Sequence, residues 1–334
     1  MKKLIITLIC LLVTTSTAFA EKINIAFTID NNYPIFTMLA INSILQNNTS
    51  NSDYKFFIVE NNLTDKNKAK MRKYVETRHQ EIEFYNIDTK VIDDGKWFFG
   101  FSNRITPIGM ARIMLPQILP NDVHRVIYMD GDTLVIEDLK KLFDEDLKGK
   151  AFGMSPNIIN YSDVVDFKTY SPYLNSGVIL MDLDKCRKDH VTDKMLGFIK
   201  KNFKLFIYKG DNEGSFLYPD QDLINIVLID DLKTLPQKWN NQNILGTYMT
   251  ELNDGGVLHY IESVKPWHMN KSFSNDFVVE YYKYWDKSGL RAYKIYYGLG
   301  LIKDKYAKML NFKLIRLQSK ISYFTKKKYL KLDM

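Results

Sequence analysis

Val126-Ile127-Tyr128-Met129-Asp130-Gly131-Asp132-Thr133-Leu134 is the stretch on which the fold turns. A continuous apolar run without alternation is the pattern of a strand buried on both faces of a parallel sheet. The run ends in two aspartates one residue apart. In open α/β sheets, chemistry gathers at the carboxyl ends of such strands. Two carboxylates there make a hard, oxygen-rich site suited to a divalent cation. The spacing alone does not decide this, because Asp144/Asp146, Asp182/Asp184 and Asp220/Asp222 repeat it.

N-terminal to this stretch, residues 23–29 read as a first strand. Asp30-Asn31-Asn32-Tyr33-Pro34 breaks it, and residues 35–45 carry a helical apolar pattern. Residues 54–59 and 81–85 read as further strands, separated by a polar helix over 64–77 with Thr64 as its cap. Residues 90–104 have loop character. Residues 107–115 read as an apolar helix with Arg112 inside it, and a lone arginine there needs an anionic partner. On the other side, residues 152–154 and 178–181 are strands, the second introduced by Asn175-Ser176-Gly177. Residues 185–201 form one amphipathic helix, and Tyr218-Pro219-Asp220-Gln221-Asp222 opens another over 223–228. Strands alternating with helices predict a mainly parallel α/β sheet. No repeat and no linker divides the chain.

The composition, 46% hydrophobic and 25% charged over 334 residues, is that of a globular α/β protein with an appendage. Two cysteines, Cys10 and Cys186, exclude a disulfide framework. Lys2 and Lys3, an apolar core over 4–13 interrupted by Thr7, and Ala18-Phe19-Ala20 predict a signal peptide over residues 1–20. That leader implies export or the secretory pathway. Without cleavage, the expected location is peripheral on the cytoplasmic membrane. From Arg291 onward, twelve lysines and arginines stand against two aspartates, so the tail carries +10 of a chain total of +7 and the remainder −3. With apolar residues at helical intervals, residues 271–334 read as a basic amphipathic helical region suited to an anionic membrane surface. No nucleic-acid-binding module accompanies the charge, so nucleic acid is not an expected partner.

A second constellation lies near the C-terminal end of the globular part. Val257-Leu258 delivers His259, and Lys265 follows six residues later, ahead of Pro266-Trp267-His268. Two carboxylates with one imidazole suit Mn²⁺ better than Mg²⁺, which remains an option. Lys265 is placed to neutralise an anionic group such as a phosphate.

Asp130-Gly131-Asp132, Asn175-Ser176-Gly177-Val178, the stretch from Tyr218 to Asn225, and His259-Tyr260 with Lys265-Pro266-Trp267-His268 occur in this order. Together they resemble glycosyltransferase family 8, in particular the bacterial enzymes that add glucose or galactose to the lipopolysaccharide core. The resemblance covers about residues 23–267. It implies a GT-A, Rossmann-like fold over residues 21–270 and a retaining hexosyltransferase. The donor would be a UDP-hexose, the cofactor Mn²⁺, and the acceptor a glycolipid or other glycan. By position, Asp130, Asp132 and His259 would hold the metal. Thr28, Asp30, Asn32 and Tyr33 would surround the uridine, and Gly131 would lie against the donor. Arg112 would stand near the diphosphate and sugar, Asn175 and Ser176 would line the sugar, and Asp220 would bind its hydroxyls. Gln221 would lie under the anomeric carbon, and Lys265 would contact phosphate. One departure stands out: Glu262 occupies the place, three residues after the histidine, where the family usually has glycine.

An amide oxygen such as that of Gln221 is a poor nucleophile. The expected mechanism is therefore same-face substitution in which the leaving phosphate helps deprotonate the acceptor, with Asp220 as the nearest alternative nucleophile. Two other functions stay open. A secreted protein-modifying or autoglycosylating glucosyltransferase is favoured by the leader. A nucleotide-sugar-binding protein without catalysis is favoured by Glu262.

Overall fold

The computed structural model describes residues 22–88, 107–158, 165–166, 169–206, 216, 218–242, 254–261, 265–268 and 276–290. The leader, the 90–104 segment, Glu262 and the tail from Arg291 lie outside these residues. None of the described helices is long and apolar enough to cross a membrane.

The N-terminal strands form as expected. β1 (Ile23–Asp30), β2 (Tyr54–Asn61) and β3 (Glu81–Asn86) pair in parallel, in register from Ile23↔Tyr54 and Lys55↔Glu81. Successive side chains alternate between two cores. Ile25, Phe27, Phe56 and Ile58 pack on one face, and Ala26, Phe57 and Val59 on the other. Both faces are therefore covered, which is why these strands read as unbroken apolar runs. α1 (Pro34–Gln46) connects β1 to β2 and is buried from Pro34 to Ile44. Its first residue is proline, whose missing N–H costs nothing in a first turn. α2 (Asp65–Glu76) is capped by Thr64, whose Oγ1 accepts from Asn67 N at 3.3 Å. Only Met71 and Val75 of this helix are buried.

The stretch expected as one helix over 107–115 is segmented. α3 (Pro107–Met110) passes through a 3₁₀ turn (Ala111–Met114) into α4 (Leu115–Ile118). Pro116 is the cause: inside a continuous helix its ring would collide with the carbonyl of residue 112 and would leave that carbonyl without a donor. Leu115 N donates to Arg112 O instead, in the tighter 3₁₀ manner.

β4 (Arg125–Met129) adds in parallel to β1, and after Asp130-Gly131-Asp132 the chain enters β5 (Thr133–Val135) and α5 (Lys140–Phe143). β6 (Phe152–Pro156) and β7 (Leu174–Asp182) follow. β7 lies antiparallel between β4 and β6, with Met129 opposite Val178. It begins earlier than expected, so that Asn175-Ser176-Gly177 belong to the strand. Its start is pinned by the Asn225 side chain, whose Oδ1 accepts from Leu174 N and whose Nδ2 donates to Leu174 O, each at 2.8 Å.

The helix expected over 185–201 is two, α6 (Leu183–Lys188) and α7 (Val191–Lys201). They are divided at His190, which takes a left-handed φ of 53°. α8 (Pro219–Val227) leads to β8 (Leu232–Thr234) at the far edge of the sheet. The large sheet thus has the order β3-β2-β1-β4-β7-β6-β8, with only β7 reversed. A small second sheet joins β5 to β10 (Val257–His259) and β9 (Asn241–Gln242), in the order β5-β10-β9.

The core continues past residue 270, where the sequence reading ends the domain. α9 (Asp276–Lys287) buries Tyr281 and Trp285 in the same core as α1, and Leu290 follows them in. Beyond the helix, Tyr74 Oη and Arg78 Nη2 donate to Ser288 O at 2.9 and 3.3 Å.

Candidate active site

The sheet order creates the site. β1 and β4 run parallel, so Thr28 and Asp30 finish at the same edge as Asp130. β7 runs the other way, so its beginning, Asn175 to Gly177, arrives at that edge too. Asp130-Gly131-Asp132 is the three-residue passage from the large sheet to the small one. Asp130 N donates to Gly177 O at 2.8 Å, tying Asp130 to the large sheet. Tyr260 N donates to Asp132 O at 3.1 Å, and His259 pairs with Thr133, tying Asp132 and His259 to the small sheet.

Asp130, Asp132 and His259 bring one ligand atom each within 4.8 Å of one another. His259 Nε2 lies 3.6 Å from Asp130 Oδ2 and 3.5 Å from Asp132 Oδ1. Neighbouring ligands of an octahedral cation with bonds of about 2.1 Å lie about 3 Å apart, so the set needs only a small contraction to hold one. Two carboxylates and one imidazole fit a divalent ion that accepts both oxygen and nitrogen.

The imidazole is held from behind. His259 Nδ1 is 2.9 Å from Asn240 Oδ1, and Asn240 Nδ2 donates to Asn175 Oδ1 at 2.7 Å. The ring lies against the backbone of Gly177. A Cβ at that position would come within 2.1 Å of His259 Cε1.

Arg112 supplies the buried positive charge. Its Nη2 is 3.0 Å from Asp130 Oδ1, its Nη1 3.2 Å from Asp220 Oδ2 and 2.8 Å from Ser176 O. Nε donates to Gly109 O at 2.8 Å, and the guanidinium packs over the Tyr128 ring at 4.6 Å. Ser176 Oγ donates to Asp220 Oδ2 at 2.7 Å. The expected anionic partners of Arg112 are therefore two carboxylates of the site itself. Lys265 Nζ pairs with Asp132 Oδ2 at 2.6 Å and also donates to Tyr260 O.

The two metal-ligand candidates titrate in opposite directions. Burial raises the Asp130 carboxyl, and the Asp132 charge adds to that against the pull of Arg112. Burial also works against the Asp132 carboxylate, but Lys265 and His259 outweigh it and hold Asp132 well below the usual range. Two close carboxylates commonly part in this way.

The other expected residues take graded places. Gln221 is buried, and its Oε1 accepts from Ser176 N at 3.1 Å. Asp222, two residues from Asp220, is structural: its Oδ2 accepts from Tyr218 N at 2.9 Å and its Oδ1 from the Tyr173 hydroxyl. Thr28 Oγ1 lies 3.0 Å from Tyr128 Oη, which donates to Asp130 Oδ1. Tyr33 stands against Gly131, where a Cβ would meet its ring at 3.0 Å, and packs edge-on to Trp267. Asp30 ends β1 and Asn32 lies in the turn beyond it, with Asn32 N donating to Asp30 Oδ1 at 2.8 Å.

Three contributors were given no role of their own from the sequence: Tyr128, Asn240 and Gly177. A tyrosine two residues before Asp130 in an apolar strand was a legible signal. Trp239-Asn240-Asn241-Gln242, three amides in a row, was a weaker one.

The sequence model described as Glycosyl transferase family 8 matches residues 24–271. General stress protein A of Bacillus subtilis is 24% identical over 280 residues, which is 79% of this chain and 93% of that protein. The lipopolysaccharide 1,2-glucosyltransferase of Escherichia coli K12 is 26% identical over 282 residues, covering 79% and 77%. Probable galacturonosyltransferase-like 4 of Arabidopsis thaliana is 27% identical over 274 residues, covering 74% of each. Among solved structures, galactosyltransferase LgtC in complex with donor and acceptor sugar analogues superposes with a TM-score of 0.62 at 18% identity, covering 78% of this chain and 95% of that one. That likeness is one of fold, an α/β architecture around a large, mostly parallel sheet.

Proposed function

The chain belongs to glycosyltransferase family 8, and on that premise we propose that it moves a hexose from a UDP-sugar to a glycan acceptor with retention of configuration. The observation that carries this reading is the convergence of Asp130, Asp132 and His259 beside the Arg112–Asp220–Ser176 network. A divalent cation, Mn²⁺ in our reading, would be held by the first three and would supply positive charge to the donor diphosphate.

This chain's own groups do the rest. Arg112 pairs with Asp130 and Asp220 at once, and in this reading it turns the first toward the diphosphate and the second toward the donor sugar's hydroxyls. Lys265 sets a second cationic group beside Asp132, where negative charge grows as the glycosyl–phosphate bond breaks. Gln221 has its oxygen engaged by Ser176 N–H, which suits a residue that shapes the pocket under the anomeric carbon without attacking it. The acceptor hydroxyl then bonds to the anomeric carbon on the face from which the diphosphate leaves. Its proton passes to the departing phosphate oxygen, and the α configuration of the donor is kept.

The lipopolysaccharide glucosyltransferase relatives favour a glycolipid acceptor, and the galacturonosyltransferase-like relatives widen the donor choice to uronic acids. We place the enzyme at a membrane surface through its basic tail, with the leader directing it outward if cleaved. The purified protein is incubated with UDP-glucose, UDP-galactose and UDP-galacturonate, with Mn²⁺ or with EDTA, and UDP release is measured. Release that needs the metal and prefers one donor supports the reading. Donor binding without release under any condition makes the protein a binder. Mass spectrometry of lipopolysaccharide-core and protein acceptors separates a glycolipid transferase from a protein-modifying one.

A further inference from the structure

His259 can ligate a cation through Nε2 only if Nε2 carries a lone pair, and the neutral ring has two tautomers. A chain of amides facing the other nitrogen decides between them, and its direction can be read without any choice of amide orientation. It starts at a backbone N–H. Gly177 N donates to the Asn175 side-chain atom 2.9 Å away, which must therefore be oxygen. The same oxygen lies 2.7 Å from the Asn240 amide, so the Asn240 atom facing it must be nitrogen. The other Asn240 atom is then oxygen, and it lies 2.9 Å from His259 Nδ1. An oxygen acceptor requires Nδ1 to hold a proton, so in the neutral ring it is Nε2 that keeps the lone pair and faces Asp130 and Asp132. The far end is fixed as well: Asn175 Nδ2 donates to Asn157 Oδ1 at 2.9 Å. Asn240 is fully buried, so no water replaces its bond to the ring. Burying several amides is favourable only when each bond is made, and these are made in one sense only.

We infer that Asn240, oriented by Asn175, is a positioning residue that locks His259 in the Nδ1–H tautomer and so keeps Nε2 ready for a cation. Metal-bound histidines depend on such outer partners for both tautomer and ring direction. The oxygen of Asn175 is engaged by the relay and by Gly177, so the sugar-lining role that the resemblance gives it would fall to its amide nitrogen. The inference rests on the metal reading proposed above only for its consequence, since the tautomer itself is a property of the metal-free ring.

The experiment has two readouts on the full chain. Long-range ¹H–¹⁵N spectra of the metal-free protein at a pH where histidines are neutral report each ring's tautomer, and His259→Gln identifies the His259 signals among the five histidines of the chain. Mn²⁺ titration followed by electron paramagnetic resonance reports affinity for the metal alone. Wild type is expected to show His259 as the Nδ1–H form. Asn240→Leu is expected to lose that preference and to bind Mn²⁺ about 10–100-fold more weakly. Asn240→Asp keeps an oxygen facing Nδ1 and is expected to keep the Nδ1–H form, although its second oxygen meets that of Asn175 and weakens the relay. If Asn240→Leu does not fold, Asn175→Ala carries the same measurement, because it frees the Asn240 amide to turn. An Nε2–H ring in wild type, an unchanged tautomer and affinity in Asn240→Leu, or loss of the Nδ1–H form in Asn240→Asp would each overturn the inference. Absence of Mn²⁺ binding in wild type with the Nδ1–H form intact would sink the metal reading and leave the relay standing.

Discussion

Replacing Gly177 by alanine is the sharpest perturbation the site offers. The new Cβ would stand 2.1 Å from His259 Cε1, 2.6 Å from Nδ1 and 2.9 Å from Nε2. Non-bonded carbons prefer about 3.5 Å or more, so ring and strand must part by about 1.4 Å. The strand is the stiffer partner, since Gly177 O accepts from Asp130 N and Val178 pairs with Met129. The ring therefore moves, against its bond to Asn240. Metal–ligand distances tolerate only about 0.2 Å, so a displacement of this size removes His259 as a ligand. Overpacking of this kind costs about 1–3 kcal/mol of stability, or a few degrees to about 10 °C in Tm for a domain of this size. The assay is Mn²⁺ titration by electron paramagnetic resonance alongside thermal melting. Gly197→Ala is the control: it lies in α7 with nothing within 4 Å, and should hold its metal affinity while gaining about 0.5–1 kcal/mol. Gly177→Ala with wild-type Mn²⁺ affinity would refute the reasoning, because the ring would then have room that the geometry denies it.

Asp132→Asn should abolish most metal-dependent donor cleavage while circular dichroism shows an intact fold; normal turnover at low Mn²⁺ would remove Asp132 from the site. Gln221→Ala should slow transfer yet leave an α-linked product by NMR, and a glycosyl adduct trapped on Asp220 would replace same-face substitution with double displacement. Burial opposes the Glu60 carboxylate, but Lys68, the Leu63 N–H and the Asn86 amide outweigh it and hold its pKa below the usual 4.5. A depressed folded pKa stabilises above the unfolded value and is lost as pH falls. Stability to urea should therefore drop on acidification below about pH 4.5, with a shallower drop in Glu60→Gln; identical slopes would contradict this. A chain ending after Leu290, which retains the buried Ser288 and Leu290, should lose binding to anionic vesicles and keep donor cleavage, and unchanged vesicle binding would clear the tail of that role.

The parts of this protein that the sequence made legible are those written in local pattern. The strands of the large sheet were visible because burial on both faces leaves unbroken apolar runs, and the end of β4 was visible because Asp130 interrupts such a run. Thr64 marked the start of α2 through a rule that needs only four residues. The misses have physical causes. Asn175-Ser176-Gly177 read as the lead-in to a strand starting at 178 because those residue types are poor strand formers, whereas in the fold a side chain fifty residues away, Asn225, completes the strand's edge. The break at His190 carries no glycine or proline to announce it. The helix read over 107–115 stopped at Pro116 as it should, and what stayed hidden was the 3₁₀ turn that the proline imposes ahead of itself. Asn240 was invisible for a deeper reason: its value lies in which atoms face it, and no spacing in the chain encodes that.

The passage between the two sheets has a mechanical consequence. Asp130 is bonded to the large sheet, while Asp132 and His259 are bonded to the small one. A cation bound by all three would therefore be a clasp across the seam between them. Linkage makes this reciprocal: whatever holds the three residues in place raises affinity for the ion, and the ion would stabilise the fold that brings them together. At a concentration one hundred times its Kd, such a clasp would add about 2.7 kcal/mol to the folded state. Leu134, Val135, Val257 and Leu258 of the small sheet share one core with the large sheet, so the fold itself presses the two halves of the clasp together, and Asp130-Gly131-Asp132 is the rivet that joins them.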